Sequence, residues 1–211
     1  NINLEKPETE QRPEIRQSRS FDIENLKEIK PIHDYWVNRG ISRETLEIFK
    51  GGIVSEGKMK GRYVFPIFDS SKQIKGFTGR DITGESKIKW KHLGNKSHWK
   101  YPLQINYRII SEMSKVILVE SIGDMLALWQ AGIKNTIVTF GLEISLEILN
   151  QLLRMDTDMI TISFNNDENN NNRGNIAAYK GRKKLHKYFD PEQVEIKLPA
   201  AYNAFGEMPT E

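Results

Sequence analysis

The chain has 211 residues, of which 38% are hydrophobic, and this is enough to build a buried core without cross-links. It contains no cysteine, which excludes disulfides and thiolate zinc sites, and its net charge of +3 is modest. No apolar run approaches the roughly 20 residues of a membrane helix, and the start lacks a secretory pattern. We therefore expect a soluble, cytoplasmic protein that has no membrane partner.

The first half of the chain predicts a polar tail followed by a small α+β subdomain. Residues 1–20 are polar and aperiodic, which is typical of a tail or linker. Residues 21–52 have apolar side chains spaced by three or four, which predicts two short helices with Gly40 between them. Between residues 53 and 82, two apolar stretches flank the turn-like sequence DSSK and predict a β-hairpin. We assign residues 21–110 to this subdomain.

The second half, residues 111–211, predicts a parallel, doubly wound α/β sheet. Short strands rich in β-branched residues are expected at 115–120, 135–140, 159–164 and 193–198. Between them, helical spacing covers 122–132, 144–155 and 173–189. Such alternation favours right-handed crossovers, and ligands then bind beyond the carboxyl ends of the strands.

The positive charge is concentrated in two stretches that contain no acid. KIKWKHLGNKSHWKY (87–101) alternates five lysines with aromatic residues, and RGNIAAYKGRKKLHK (173–187) has six basic residues. Such stretches are often only solvated surface. The interleaved rings favour the alternative of a nucleic-acid surface, because cations meet phosphates while rings stack on unpaired bases.

Acidic and amide side chains follow two of the predicted strands. Glu120 ends the first strand and Asp124 lies four residues later, while Asn165, Asp167 and Glu168 follow the third strand. Hard oxygen donors without His or Cys are what Mg²⁺ or Mn²⁺ prefers. The alternative is that Glu120 and Asp124 only interact favourably with the dipole at a helix N-terminus.

Two segments, ILVESIGDMLALWQAGIKNTIVTFG and ISFNNDENNNNRGNIAA, resemble the TOPRIM domain that bacterial-type DNA primases share with topoisomerases and some nucleases. The family has a Glu after the first strand and an Asp-x-Asp after a later one. By this resemblance its Glu corresponds to Glu120, its next Asp to Asp124, its glycine to Gly141, and its Asp-x-Asp to 165–167. The first position of that last motif is Asn165 here, which departs from the pattern.

The preceding region resembles the RNA-polymerase core of bacterial and phage replicative primases. YWVNRGISRETLEIFKGG, GRYVFPIFDSSKQIKGFTGR and KWKHLGN occur in the same order as the segments of that core. The resemblance implies a DNA-directed RNA polymerase of primase type that takes single-stranded DNA template and ribonucleoside triphosphates. It further implies a replicative helicase partner and a bacterial or phage-infected cell. The implied phosphate-binding residues are Arg62, Arg80 and Lys91, with Lys96 and Lys100 as alternatives for a further lysine.

The resemblance also implies roles for the acidic residues. Two-metal phosphoryl transfer uses carboxylates to hold ions that stabilise the attacking and leaving oxygens. The implied catalytic residues are Glu120, Asp124 and Asp167. The implied Mg²⁺ or Mn²⁺ ligands are Glu120, Asn165, Asp167 and Glu168.

Ala204 stands in LPAAYNAFGE, where the family context leads us to expect an aspartate. Either Glu207 or another residue serves instead, or Ala204 marks an inactivated variant that binds metal and DNA but polymerises poorly. Two alternatives to a primase therefore remain. One is a TOPRIM nuclease, and the other is a non-catalytic module that binds single-stranded nucleic acid.

Overall fold

Two four-stranded sheets organise the chain. The computed structural model describes residues 21–167, 171–200 and 204–207. The polar tail predicted for residues 1–20 and the metal ligand predicted at Glu168 lie outside the described residues.

Short helices precede the first sheet. A 3₁₀ helix covers Ile23–Glu28, α1 covers Asp34–Val37 and α2 covers Arg43–Ile48. The side chain of Ser42 caps α2 by accepting a hydrogen bond from the Thr45 N–H, which satisfies one of the free donors of the first turn. Gly40, with a φ of 80°, makes the bend between α1 and α2. This agrees with the prediction of two short helices separated by Gly40.

The first sheet is antiparallel, with the order β1-β2-β3-β4. Its strands are Gly52–Val54, Arg62–Phe68, Ile74–Asp81 and Trp90–Gly94. The predicted hairpin is the pair β2 and β3, and the Asp69 carboxylate stabilises its turn by accepting hydrogen bonds from two backbone N–H groups at 2.9 Å. The strand β4, formed by part of the basic stretch 87–101, was not predicted.

The second sheet is parallel, with the order β6-β5-β7-β8. After helix α3 (Leu103–Met113), strands and helices alternate to the end of the sheet. They are β5 (Lys115–Val119), α4 (Ile122–Gln130), β6 (Thr136–Val138), α5 (Leu146–Arg154), β7 (Met159–Ser163), α6 (Arg173–Leu185) and β8 (Val194–Ile196). The predicted fold class, a parallel α/β sheet preceded by a smaller α+β region, is confirmed.

Helices cover both faces of the parallel sheet. The buried residues of α5 and α6 share one core cluster with Val116 and Leu118 of β5. The buried residues of α4 instead join Val119 in a second cluster. Successive strand side chains point to opposite faces, so this division is the one that a doubly wound sheet requires.

The cluster around α4 also joins the two sheets. It contains Tyr63 and Phe65 of the antiparallel sheet together with Met125 and Trp129 of α4, all of them buried. The predicted boundary at residue 110 between two subdomains remains a prediction. In the part of the chain that the structure describes, no helix has the length and apolar character required to cross a membrane.

Candidate active site

A cleft of about 790 Å³ lies between the two sheets. The antiparallel side contributes cations and aromatic rings, among them Arg80 and Trp90. The parallel side contributes Glu120, Asp124 and Asn165. Acids thus face cations and rings across one opening, at the carboxyl ends of β5 and β7.

Glu120 is the first residue after β5, and it is only partly exposed. Burial, followed by the neighbouring carboxylates of Asp124 and Asp167, raises the pKa of Glu120 from 4.5 to about 7. The positive charges of Arg173 and Lys96 oppose this rise but do not cancel it. Burial and the neighbouring carboxylates together therefore disfavour the charged form of Glu120.

Asp124 is held rigidly in the first turn of α4, with 2% of its surface exposed. It forms a capping box with Ser121, whose backbone N–H and hydroxyl donate to its Oδ2 atom at 3.1 and 2.7 Å. Its Oδ1 atom accepts a hydrogen bond from the Gly206 N–H at 3.3 Å. Burial raises the pKa of Asp124, although these hydrogen bonds favour the ionised form. The helix-cap alternative is thus real for this residue, yet Asp124 also lines the cleft.

The loop after β7 is fastened to the start of α6. The Asp167 carboxylate accepts a hydrogen bond from the Gly174 N–H at 3.1 Å, and the Asp167 N–H donates to the Asn175 side chain at 2.9 Å. A Cβ atom on Gly174 would overlap the carbonyl oxygen of Asn165, so only glycine permits this close approach. Asn165 lines the cleft, whereas Asp167 is not among its lining residues.

The oxygen donors of the cleft suit a hard divalent cation better than a soft one. Glu120, Asp124 and the amide of Asn165 supply carboxylate and carbonyl oxygens, and a cation would favour the ionised form of Glu120, which burial and then the neighbouring carboxylates disfavour. Within residues 21–167, 171–200 and 204–207, no three acidic or histidine side chains are grouped closely enough to hold a metal ion by themselves. An ion here would therefore use mixed ligands.

Of the predicted phosphate-binding residues, Arg80 lines the cleft. Its Nε atom donates to the Tyr35 hydroxyl at 3.2 Å, and its guanidinium carbon lies 5.8 Å from the ring centre of Trp90. These contacts hold the charge at the opening without neutralising it. Arg80 is therefore positioned to meet an anionic ligand.

Arg62 is placed differently, because it is buried beneath β3 and β4 with 6% exposure. Its two terminal nitrogens donate to the carbonyls of Gly79, Lys89 and Ile88 and to the Ser86 hydroxyl, at 2.9 to 3.3 Å. These acceptors occupy the guanidinium, and Arg62 is not among the residues that line the cleft. The geometry supports a structural role for Arg62.

The three predicted lysines also lie outside the cleft lining. Lys91 donates to the Lys58 carbonyl at 2.7 Å, and Lys96 donates to the Phe140 carbonyl at 2.8 Å. Lys100 lines a separate, smaller cavity. Of the three, only Lys96 is near enough to the acids to lower the pKa of Glu120, and a Cβ on Gly141 would lie 3.3 Å from its Nζ atom.

Comparison with known proteins agrees with this geometry. Residues 114–197 match the Toprim domain family. The DNA primase of Borreliella burgdorferi is 34% identical over 154 residues, covering 68% of this chain and 29% of the relative, and that of one Helicobacter pylori strain is 28% identical over 190 residues, covering 81% and 33%. The chain is a homologue of bacterial DNA primases. It spans 29% and 33% of the length of these two curated relatives.

Solved primase structures share the fold. A DnaG primase catalytic domain bound to ssDNA matches with a TM-score of 0.70 at 20% identity, covering 84% of this chain and 66% of that one. A DNA primase domain from Pseudomonas aeruginosa also gives 0.70, at 21% identity, covering 85% and 67%. These matches confirm that the chain has the fold that its resemblance to TOPRIM and to the primase core predicted.

The primase homologue differs from the expected pattern at one further place in the cleft. Ala204 lines it, as does the exposed Glu207, and the adjoining Gly206 bonds to Asp124. Any side chain at position 204 therefore faces the same opening as Glu120. Ala204 carries no charge there, where the family resemblance predicts an acid, and Glu207 is the next acidic residue along the chain.

Several residues that line the cleft were not predicted as site residues, among them Tyr35, Trp36 and Arg39, and Lys89 was predicted only as part of the basic stretch 87–101. The Arg39 guanidinium carbon lies 3.7 Å from the ring centre of Tyr35, and its Nη1 atom donates to the Tyr35 carbonyl at 2.8 Å. The indole N–H of Trp36 has no hydrogen-bond acceptor among the described residues, although Trp36 is 4% exposed. Two short features of the sequence could have indicated this side of the cleft: Lys89 is followed by the aromatic Trp90, and Arg39 is followed by Gly40.

Proposed function

We propose that this chain is the catalytic core of a DNA primase. It joins ribonucleotides into short RNA primers on a single-stranded DNA template by metal-dependent nucleotidyl transfer. The observation that carries this proposal is the single cleft in which Glu120 and Asp124 face Arg80 and Trp90. Acids that suit metal ions and cations that suit phosphates are the two requirements of phosphoryl transfer.

On the acidic side, Glu120, Asp124 and the Asn165 amide would hold Mg²⁺ or Mn²⁺, with Asp167 close enough to add to the field. A divalent ion there supplies charge stabilisation for the attacking and leaving oxygens. The protein contributes the orientation, because the capping box holds the Asp124 carboxylate in one position. Glu168 remains a proposed ligand from the sequence alone.

On the basic side, Arg80, Arg39 and Lys89 attract the triphosphate and the template phosphates, which are anionic in every sequence. The rings of Tyr35 and Trp90 offer faces on which unpaired bases stack. Template and ribonucleotides are thus the proposed partners, together with a replicative helicase, in a bacterial or phage-infected cell.

The test is a product assay. The full chain is incubated with single-stranded DNA, ribonucleotides and Mg²⁺ or Mn²⁺, and the products are separated on a denaturing gel. We expect short primers that disappear with Glu120→Gln. Nicked template without primers would instead favour a TOPRIM nuclease and overturn the proposal.

A second candidate function, a non-catalytic module that binds single-stranded DNA, is favoured by one observation. Ala204 lines the cleft where the resemblance leads us to expect an acid. If Ala204 inactivates the chain, the protein binds DNA without making primers, and Ala204→Asp restores synthesis. Binding without synthesis in both versions would support the module and defeat the primase proposal.

A further inference from the structure

The outer face of α6 is a continuous basic surface. Lys180 and Lys183 are exposed on one side of the helix, and the exposed Lys187 follows at a spacing of four, in the turn just beyond its end. The segment 171–189 contains no Asp or Glu. We call the exposed residues of this side the α6 face: Arg173, Ile176, Tyr179, Lys180, Lys183 and Lys187.

The α6 face has no evident role in folding. Contact with the parallel sheet is made by the opposite side of the helix, where Ala177, Ala178 and Leu185 are buried. Lys184 is the inward exception, since its Nζ atom donates to the Ile144 carbonyl at 2.6 Å. The exposed lysines can therefore be replaced without disturbing the core.

Arg173, at the start of the α6 face, lies near enough to Glu120 to lower its pKa, but the lysines of the face have no ion-pair partner within the described part of the chain. There, no carboxylate oxygen lies within 4.0 Å of a basic nitrogen of α6, whereas ion pairs of that length occur elsewhere in the structure. Clustered cations without counter-charges create a positive potential that attracts polyanions. The α6 face is thus complementary to a polyanionic partner.

Exposed rings among the cations favour single-stranded DNA over other polyanions. Tyr179 is 60% exposed and Tyr188, just beyond the helix, is 55% exposed. The Arg182 guanidinium carbon lies 5.2 Å from the ring centre of Tyr179. Rings and cations together form the stacking surface and the phosphate contacts that unpaired strands use.

The position of α6 connects this face to the cleft. Asp167 bonds to the first turn of α6, and Asn165, two residues earlier, lines the cleft. A helix of 13 residues extends for about 20 Å, so the α6 face leads away from the acids over the length of several nucleotides.

We propose that the α6 face is a second binding surface for single-stranded DNA, which holds the strand beyond the cleft. The inference rests on the proposed function for its role in priming, but DNA binding itself can be measured without any primer synthesis. A failure of one proposal is therefore distinguishable from a failure of the other.

The main test compares two triple variants of the full chain. One carries Lys180→Gln, Lys183→Gln and Lys187→Gln. The control carries Lys27→Gln, Lys30→Gln and Lys72→Gln, which removes the same charge from exposed lysines outside the cleft. Binding of a fluorescent 20-nucleotide single strand is followed by anisotropy over a range of salt concentrations, and melting curves confirm folding.

We expect the α6 variant to bind about 10-fold more weakly or worse, and the control to bind like the wild type. The slope of log affinity against log salt should fall by about 0.7 for each lysine that contacts a phosphate. Equal affinities and slopes in both triple variants would overturn the proposal. If the wild type makes no primers but the variants still differ in DNA binding, only the proposed primase function fails.

A second comparison tests the ring. Tyr179→Ala is expected to weaken single-strand binding about 5-fold or more, while Tyr179→Phe retains binding, because stacking needs the ring and not the hydroxyl. Tyr107→Ala is the matched control, since Tyr107 is 49% exposed on another helix. Equal effects of Tyr179→Ala and Tyr107→Ala would count against stacking.

Binding to anionic vesicles is measured for the wild type and the α6 lysine variant. If the variant loses vesicle binding but binds DNA like the wild type, the α6 face is a lipid surface and the proposal is overturned.

Discussion

The two walls of the cleft hold their charges in different ways. On the parallel-sheet wall, Asp124 is buried and fixed by three hydrogen bonds, and like charges crowd Glu120. On the antiparallel wall, Arg80 and Arg39 rest on aromatic rings and keep exposed surface. Asp124 is thus fixed by several hydrogen bonds, whereas Arg80 and Arg39 each donate one hydrogen bond to Tyr35 and keep exposed surface. This difference suits a wall that positions metal ions and a wall that adapts to a nucleic acid.

The largest expected effect comes from a change at Asp124, on the parallel-sheet wall of the cleft. Asp124→Asn keeps the shape of the side chain but removes its charge, so primer synthesis should fall by more than the roughly 100-fold that loss of an outer-shell partner causes. Glu207→Gln is the matched control, because Glu207 lines the same cleft but is exposed. Gel assays under identical Mg²⁺ concentrations provide the measurement. Similar losses in both variants would mean that charge alone, and not its fixed position, matters.

The buried position of Arg62 predicts that this residue stabilises the antiparallel sheet and does not contact phosphates. Arg62→Met keeps the aliphatic stem but removes the donors to three carbonyls, and we expect the free energy of unfolding to fall by about 2–4 kcal/mol. Chemical denaturation measures this change. Lys91→Met, which loses one hydrogen bond at the surface, should cost far less. Normal stability with lost DNA binding in Arg62→Met would instead support a phosphate contact.

Glu120 also predicts a dependence of stability on pH. Its pKa is about 7 in the folded chain and 4.5 ordinarily, so the folded state binds more protons between these values. Stability should therefore fall as pH rises from about 4.5 to 7, by at most ~1.4 kcal/mol per pH unit for this group. Denaturation without divalent ions measures the slope. Glu120→Gln should make it shallower, and an unchanged slope would contradict the raised pKa.

The capping box can be separated from ordinary helix capping. Ser121→Ala and Ser145→Ala each remove an N-cap and should each cost about 1 kcal/mol of stability. Only Ser121 bonds to the Asp124 carboxylate, so only Ser121→Ala should also lower primer synthesis, by about 10-fold. Thermal melting and the primer assay are measured side by side. A parallel fall of activity in Ser145→Ala would attribute the effect to stability.

The smallest expected effect is the difference between Lys89, which precedes β4, and Lys91, which lies in β4. Lys89 lines the cleft, whereas Lys91 bonds to a carbonyl elsewhere. Loss of one exposed phosphate contact weakens binding only modestly, so Lys89→Gln should raise the Kd for single-stranded DNA a few-fold and reduce its salt slope. Lys91→Gln should leave both nearly unchanged. The reverse order would favour Lys91 as the phosphate-binding residue that the family resemblance implies.

The parallel sheet was predictable because each of its strands is a short apolar run that is followed by a helix. That pattern also located Glu120 and Asp124, since residues after parallel strands collect at one edge. The strand β4 was missed because its segment is rich in lysine and lacks an apolar alternation. This strand forms by pairing with β3, a contact that local sequence does not encode.

The basic wall was harder to predict than the acidic wall. A family motif gives the position of Arg62 or Lys91 along the chain, but the direction of the side chain depends on strand register. Arg39, which follows α1, and Lys89, which precedes β4, are 50 residues apart in the sequence, and both line the cleft. Such a meeting of distant segments is a tertiary property, so no local pattern could indicate it.

The shared core has a consequence for attempts to divide the chain. Tyr63 and Phe65 pack in the same cluster as Met125 and Trp129, so a cut near residue 110 separates the sequence but not the hydrophobic interior. Each half expressed alone would present part of that interior to water, and large apolar patches of this kind promote aggregation. We therefore expect the Toprim region, residues 114–197, to be less stable when it is expressed without the residues that precede it.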